Sequence, residues 1–157
     1  MSKQRVPVVI PEEIHLMGLE TLKFQFDTSD KFREDPVEIN GFETNLGKEI
    51  AFNIEEGNVR CRLFIQLEAV NSENEKLGVF TDAALEFHFH IENFSQFIKL
   101  DADDKPALHV MLASTLVAIA YSTSRGIILE KTSNTSFKGI LLPIVDATSY
   151  LLKDIEE

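Results

Sequence analysis

The stretch ALHVMLASTLVAIAYSTS, residues Ala107–Ser124, decides the fold because it is apolar around almost the whole circumference of a helix. Such a helix must be covered on nearly all sides, and a short chain can cover one side with a sheet. We therefore expect the other side to pack against a second copy of the chain. The side chains predicted to form this oligomer interface are Val110, Ala113, Val117, Ala120 and Tyr121.

Composition and charge narrow the class of protein. The 157 residues predict one domain, 1–157, in which residues 1–14 form an N-terminal tail. An apolar content of 44% together with 26% charged residues is typical of a globular chain. The net charge of −11 argues against nucleic acid as a partner, because phosphate binding depends on clustered Lys and Arg.

The sequence favours a cytoplasmic protein without a membrane-inserted segment. The single Cys61 excludes an internal disulfide framework and fits a reducing compartment. Pro7 and Pro11 interrupt the N-terminal apolar run before it reaches the length of a signal-peptide core. The Ala107–Ser124 stretch is near the lower length limit for a membrane span, carries His109 and several hydroxyl groups, and has no flanking basic cluster.

Alternation of apolar and polar residues predicts four half-buried strands of one antiparallel sheet before residue 92. The predicted apolar sides are Leu22, Phe24 and Phe26; Ile50, Phe52 and Ile54; Cys61, Leu63, Ile65 and Leu67; and Leu85, Phe87, Phe89 and Ile91. The predicted connections are an acidic crossover over Thr28–Asn40, a hairpin turn at Glu56–Asn58 and a polar loop over Asn71–Lys76.

Helical signals follow the strands. A long helix is predicted to begin near Asp103 or Asp104 with Pro106 in its first turn, and Gly126 is a possible end or bend. Asp146 is predicted to cap a short closing helix. The fold class is therefore α+β: a four-stranded antiparallel sheet followed by a long helix, a crossover loop and a short C-terminal helix.

The segment between the two helices is unusual for a loop because it is apolar. It contains Phe137, Ile140, Leu141, Leu142, Ile144 and Val145. Loops usually run over the surface and are usually polar. Two interpretations stay open: these side chains pack on the sheet as core, or they form an exposed rim that binds extended apolar polypeptide.

The segment FKGILLPIVDATSYLL, with STSRG and TSNTSF before it, resembles the crossover loop and last helix of SecB-type export chaperones. The order of strands, long helix, apolar crossover and short helix is also similar to that family. The resemblance implies an acidic cytoplasmic homotetramer, or a homodimer, in which long helices pack between protomers. It further implies that the protein binds unfolded polypeptides, with preproteins for export as the expected clients.

The resemblance also assigns roles to individual residues. It implies that Phe137, Ile140, Leu141, Leu142 and Ile144 line a long groove for unfolded polypeptide. Pro143 matches a loop position of the family, and Tyr150 matches the aromatic residue of its last helix. Lys138 and Gly139 stand where family members commonly have proline. The chain ends at DIEE without the Cys- and His-bearing zinc tail by which many members dock on the export motor SecA, so docking to SecA stays open.

The implied mechanism is that of an ATP-independent holdase, which binds apolar segments without reading their sequence. No Gly-rich phosphate loop is present, and no cofactor or catalytic residue is predicted. The alternative is a small-ligand-binding or enzymatic α+β domain in which the apolar loop closes over a pocket. 

Two other sets of residues have side chains of the types found in metal sites and in nucleophilic catalysis. His88 and His90 are expected to lie on the same side of a strand as Glu86 and Glu92, which permits part of a metal site. A solvated polar face explains the same alternation, and no further ligand spacing completes a site, so no metal is predicted. Cys61 alternates with Arg60 and Arg62 and is predicted to be a buried, inert thiol.

Overall fold

Four long strands form one antiparallel sheet in the order β1-β4-β3-β2. They are β1 (Ile14–Thr28), β2 (Gly41–Asn53), β3 (Asn58–Val70) and β4 (Lys76–Ile91). The computed structural model of the chain describes residues 5–135 and 138–152, the last three as backbone only. One face of the sheet, the inner face, packs on a long helix, and the outer face is turned away from it. The predicted α+β class is confirmed.

The two central strands contain the core of the sheet. Every apolar side chain predicted to face inward from β3 and β4 is at most 3% exposed: Cys61, Leu63, Ile65, Leu67, Leu85, Phe87, Phe89 and Ile91. The antiparallel register places Leu63 opposite Leu85 and Cys61 opposite Phe87. The period of two therefore predicts these strands correctly, because side chains of alternate residues point to the same face of a sheet.

The edge strand β1 departs from the simple alternation. Its pairing with β4 shifts register at Met17 and again at Leu22, where β1 has one residue more than its partner. Leu22 was predicted to point inward with Phe24 and Phe26, but the second bulge removes it from the ladder. Leu22 is 44% exposed, whereas Phe24 and Phe26 pack against the core. The prediction for Leu22 is wrong because a bulge reverses the side on which the following residues lie.

The connections between strands follow the predicted turn chemistry with one addition. A short helix, α1 (Asp30–Glu34), lies within the predicted crossover, where the Ser29 hydroxyl accepts a hydrogen bond from the backbone N–H of Phe32 at 3.3 Å. The β2–β3 turn contains Gly57 at a φ of +69°, a conformation in which glycine has no steric cost. The polar Asn71 carboxamide organises the β3–β4 loop by accepting N–H bonds from Glu73 and Glu75.

The long helix α2 (Val110–Thr132) begins later than predicted. Residues around Asp103, Asp104 and Pro106 belong instead to a small hairpin of β5 (Ile98–Leu100) and β6 (Pro106–Leu108). The Asp101 carboxylate accepts N–H bonds from Asp103 and Lys105, which holds a turn where a helix start was expected. His109 caps α2 by accepting the N–H of Met111 at 3.2 Å.

Helix α2 buries the side that was predicted to meet another copy. Ala113, Val117, Ala120 and Tyr121 are at most 8% exposed within the single chain, and Val110 is half-buried. These four buried side chains cannot form an interface with a second copy in this arrangement, and their assignment is corrected. The physical reason is that the inner face of the sheet and the crossover from the same chain together cover this side of the helix.

The opposite side of α2 is exposed and nearly uncharged. Its surface includes Met111, Ala118, Ser122, Gly126 and Leu129, of which Met111 is 51% exposed. By length and composition α2 is apolar enough to cross a membrane, but half of its most apolar 18-residue window is buried in the protein. Such burial is typical of the core helix of a globular fold.

Candidate functional site

The crossover that follows α2 returns along the helix and is fixed to it by side-chain hydrogen bonds. The Thr132 hydroxyl accepts the backbone N–H of Ile140 at 2.8 Å. The Arg125 guanidinium donates to the carbonyl of Leu142 at 2.8 Å, and the Tyr121 hydroxyl donates to the carbonyl of Pro143 at 2.7 Å. As the crossover advances from Ile140 to Pro143, its bonding partners on α2 move back from Thr132 to Tyr121. The crossover therefore runs antiparallel to α2.

This attachment makes the crossover side chains alternate between the core and solvent. Ile140 and Leu142 are each 1% exposed, whereas Leu141 is 68% exposed and Ile144 is 84% exposed. The assignment of Ile140 and Leu142 to a polypeptide-binding surface is corrected, because their side chains are buried in the core. Leu141 and Ile144 remain accessible for a partner.

Two of the residues implied by the family resemblance cannot be placed on this surface. Phe137 lies outside the described residues, and Tyr150 is described only by its backbone. Asp146 caps the closing helix α3 (Ala147–Leu152), as predicted, by accepting the N–H of Thr148 at 3.0 Å. Hydrogen bonds from Ser149 and Thr148 lower the pKa of the Asp146 carboxyl. The crossover therefore ends at a capped helix.

The chain enters the crossover through a turn that proline cannot form. Lys138 has a φ of 53° and Gly139 a φ of +90°, whereas proline is restricted to a φ near −65°. The Gly139 N–H donates to the carbonyl of Thr132 at 3.0 Å, which ends α2. A Cβ at Gly139 would lie 3.2 Å from Leu129 Cδ1. The departure from the proline pattern at 138 and 139 thus has a local structural reason.

Edge strand β2 provides the second half of the candidate site. Its inner-facing side chains Phe42, Leu46, Ile50 and Phe52 are only partly buried, because β2 is at the edge of the sheet. The other edge of β2 has no neighbouring strand among the described residues. An exposed strand edge beside half-buried apolar side chains is the arrangement that binds an extended peptide by strand addition.

The sequence pattern predicted that Ile50 and Phe52 face inward, but it did not predict that β2 contacts the crossover. The two parts meet where Leu46 of β2 lies beside Val145, Val117 and Tyr121. We name the combination of Leu141, Ile144 and the inner-facing side chains of β2 the crossover–β2 surface. The missed signal is that Phe42 and Leu46 continue the alternation of Ile50 and Phe52 toward the start of the strand.

The space beneath the crossover is too small for a ligand. The cavity lined by Leu46, Val117, Tyr121 and Val145 has a volume of about 10 Å³. A volume of that size is at the lower limit for a single water molecule. The alternative in which the loop closes over a small-molecule pocket is therefore not supported by the described residues.

The residues considered for metal binding and catalysis have other partners. Glu86 and His88 share the outer face, as predicted, where the Glu86 carboxylate contacts Arg62 and the His88 imidazole. Hydrogen bonds from Arg62 and His88 lower the pKa of the Glu86 carboxyl. Within residues 5–135 and 138–152, no group of three or more His, Cys, Asp or Glu is placed to hold a metal ion. Cys61 is fully buried, and burial raises its pKa to about 11, so its thiol is protonated at neutral pH.

The bond between Tyr121 and Pro143 is open to a direct test. We expect Tyr121→Phe to lower the free energy of unfolding by about 1 kcal/mol, the usual net contribution of a hydrogen bond, and to accelerate proteolysis within the crossover. Thr123→Val is the control, because among the described residues the Thr123 hydroxyl bonds only to the carbonyl of Ile119 in its own helix. Urea unfolding and limited proteolysis measure both effects, and equal proteolysis rates for the two variants would contradict the attachment.

The same variant has a pH signature. Burial raises the pKa of Tyr121 above its ordinary value of 10.0, so the folded chain retains the phenol proton at a pH where the unfolded chain has lost it. The contribution of this group to stability is therefore complete below pH 10 and is lost as the pH rises through the folded pKa. Stability of Tyr121→Phe, followed by urea unfolding, should fall less steeply above pH 10 than that of the unchanged protein.

Comparison with solved structures identifies a similar fold. The Mycobacterium tuberculosis SecB-like chaperone Rv1957, solved in complex with a ChAD peptide from the Rv1956 HigA1 antitoxin, superposes with a TM-score of 0.58 at 14% sequence identity. The match covers 85% of this chain and 91% of that chain. A protein of unknown function from Streptococcus agalactiae matches with a TM-score of 0.41 at 13% identity, over 84% of this chain and 98% of that one. No protein-family model and no curated protein matches the sequence. The chain has a SecB-like α+β fold.

Proposed function

We propose that this protein is an ATP-independent chaperone that holds unfolded polypeptides on the crossover–β2 surface. The observation that carries the proposal is the alternation in the crossover, where Ile140 and Leu142 anchor the backbone and Leu141 and Ile144 project into solvent. Exposed aliphatic side chains on a fixed backbone form a binding surface without paying the ordering entropy of a mobile loop.

The chemistry of this surface suits extended apolar segments. Burying an exposed Leu or Ile side chain contributes roughly 1.5–3 kcal/mol, and this contribution does not depend on the sequence of the partner. The outer edge of β2, which pairs with no strand among the described residues, adds main-chain hydrogen bonds, which are equally independent of sequence. A surface that combines both recognises unfolded chains as a class, because folded proteins bury their apolar segments and pair their strands.

Binding of this kind delays aggregation by mass action. A protein that binds the unfolded state, and not the native state, lowers the concentration of free unfolded chain. No step of this mechanism requires nucleotide. The net charge of −11 favours clients with basic segments and opposes association between loaded complexes.

The structural neighbour supports the same class of function. It is a chaperone and not an enzyme, and it binds a peptide from an antitoxin. We extend the proposal to preproteins for export and to a cytoplasmic location, in line with the resemblance of the crossover sequence to SecB-type proteins. A single dedicated client, such as an antitoxin, fits the same surface.

We also infer that the protein self-associates as a dimer or tetramer through the exposed side of α2. This side carries Met111, Ala118 and Ser122, and the only charged residue between Val110 and Leu129 is Arg125, whose guanidinium bonds to the crossover. Small and aliphatic side chains without charge permit close approach of two helices. The inferred interface replaces the buried set that sequence analysis named.

Client binding depends on Leu141 and Ile144 in this proposal. We expect the double substitution Leu141→Ser and Ile144→Ser to weaken binding of a carboxymethylated, permanently unfolded client at least about tenfold, since two apolar contacts are lost. Fluorescence anisotropy of the labelled client measures the affinity, and light scattering measures suppression of its aggregation.

A control for general loss of hydrophobicity is available elsewhere on the surface. Val37 is 48% exposed and Leu100 is 63% exposed, and neither belongs to the crossover–β2 surface. The double substitution Val37→Ser and Leu100→Ser should leave client affinity within about twofold, because surface substitutions of this kind act locally. If both double variants bind the client as the unchanged protein does, the proposed surface is wrong.

Self-association has a separate test. Ala118→Glu places a charge in the middle of the exposed side of α2, and we expect it to reduce the molecular mass measured by multi-angle light scattering to that of a smaller species. Ala102→Glu makes the same chemical change at an exposed residue outside the helix and should leave the mass unchanged. A monomeric unchanged protein would exclude this interface.

A further inference from the structure

The outer face of the sheet contains a cleft on the side away from α2. It has a volume of about 420 Å³ and opens beside Arg60 of β3 and His88 and His90 of β4. Met17 of β1 and Ala51 of β2 provide apolar walls at its two sides. All four strands therefore contribute to one concave site on the face turned away from α2.

The charge of this cleft is opposite to that of the protein. The chain carries 26 acidic residues, yet no Asp or Glu lines the cleft. A second cleft of about 530 Å³ on the described surface is lined by Glu43, Glu68 and Asp82 together with Lys76. Local charge thus differs between the two clefts, and the one around Arg60 is suited to an anion.

Arg60 is the group in this cleft that most needs a partner. Its Nε is inaccessible to solvent and has no hydrogen-bond acceptor among the described residues. The neighbouring Arg62, two residues along the same strand, contacts the carboxylates of both Glu49 and Glu86. A buried donor without an acceptor costs about 1–3 kcal/mol, and a bound water or ion is one way in which a folded protein satisfies it.

Two histidines lie beside the guanidinium. His88 uses Nε2 to contact the Glu86 carboxylate at 2.6 Å, and His90 uses Nδ1 to contact the Asn58 side-chain oxygen at 3.1 Å. Both contacts are to oxygen acceptors and use the single N–H of a neutral imidazole, so the second ring nitrogen of each is an acceptor, and the N–H donors to an anion come from Arg60. Gly18 of β1 neighbours His88, where an added Cβ would be 3.9 Å from the ring, and the His88 side chain is 48% exposed.

We propose that this cleft binds the oxyanion group of a small organic ligand, either a carboxylate or a phosphoryl group, with Arg60 as the principal partner. The planar guanidinium offers two parallel N–H donors that match the oxygens of such a group. His88 and His90 complete the polar side of the site, and Met17 and Ala51 contact the apolar part of the ligand. The site opens on the opposite face of the sheet from the crossover, and Phe52 of the crossover–β2 surface also borders it.

Titration with inorganic phosphate and with acetate tests the proposal, since these probes carry only the anionic groups. At constant ionic strength maintained with chloride, we expect saturable chemical-shift changes of the ring protons of His88 and His90. A response to phosphate alone indicates a phosphoryl ligand, and a response to acetate alone indicates a carboxylate. A linear response to both, without saturation, would overturn the proposal.

Three variants separate a specific site from general electrostatic attraction. Arg60→Gln should weaken binding of the responsive probe at least about tenfold, because charge-assisted hydrogen bonds are lost. Arg60→Lys retains the charge without the fork geometry and should weaken binding by a smaller factor, and it preserves the test if the first variant fails to fold. Arg33→Gln removes the same charge from α1, where Arg33 is exposed, and should change the affinity less than about twofold. Equal weakening by Arg33→Gln and Arg60→Gln would refute the site.

Discussion

The packing of α2 between the sheet and its own crossover is the constraint on which the rest of the structure depends. A helix with Leu112, Leu116 and Ala120 fully buried needs a continuous apolar surface beside it. The inner face of β3 and β4 supplies part of that surface, and Ile140 and Leu142 of the crossover supply another part. The side of α2 that was predicted to meet a second copy is therefore covered by the same chain. The side chains on the exposed side are small or aliphatic and almost free of charge.

This packing determines what the crossover can do. Because its backbone is held by Thr132, Arg125 and Tyr121, burial of alternate side chains forces the intervening ones outward. The crossover is therefore core at some residues and accessible surface at the residues beside them. The inner-facing side chains of β2 then serve polypeptide binding in our proposal, together with Leu141 and Ile144, while the outer face presents polar clefts.

Sequence patterns predicted the central part of the fold well, because alternation in β3 and β4 directly reports two buried strands. They failed where a local interaction overrides a periodic pattern. The bulge at Leu22 needs knowledge of the partner strand, and the hairpin before α2 depends on a carboxylate of Asp101 that competes with helix formation. The burial of Val117 and Tyr121 was missed because a helical period identifies an apolar side but not the element that covers it. The missing acceptor of the Arg60 Nε could likewise not be predicted, since partners across strands are fixed only by register.

Amide hydrogen exchange with and without an unfolded client tests whether the fixed crossover and β2 bind the client together. We expect client binding to slow exchange in β2 (Gly41–Asn53) and in the crossover around Leu141 and Ile144. Exchange in β4 should not change, because its amides are paired on both sides. Two results would contradict a fixed crossover that carries the binding surface. One is protection by the client that is confined to other elements. The other is that, in the free protein, amides throughout the crossover exchange faster than those in the short loop between β3 and β4.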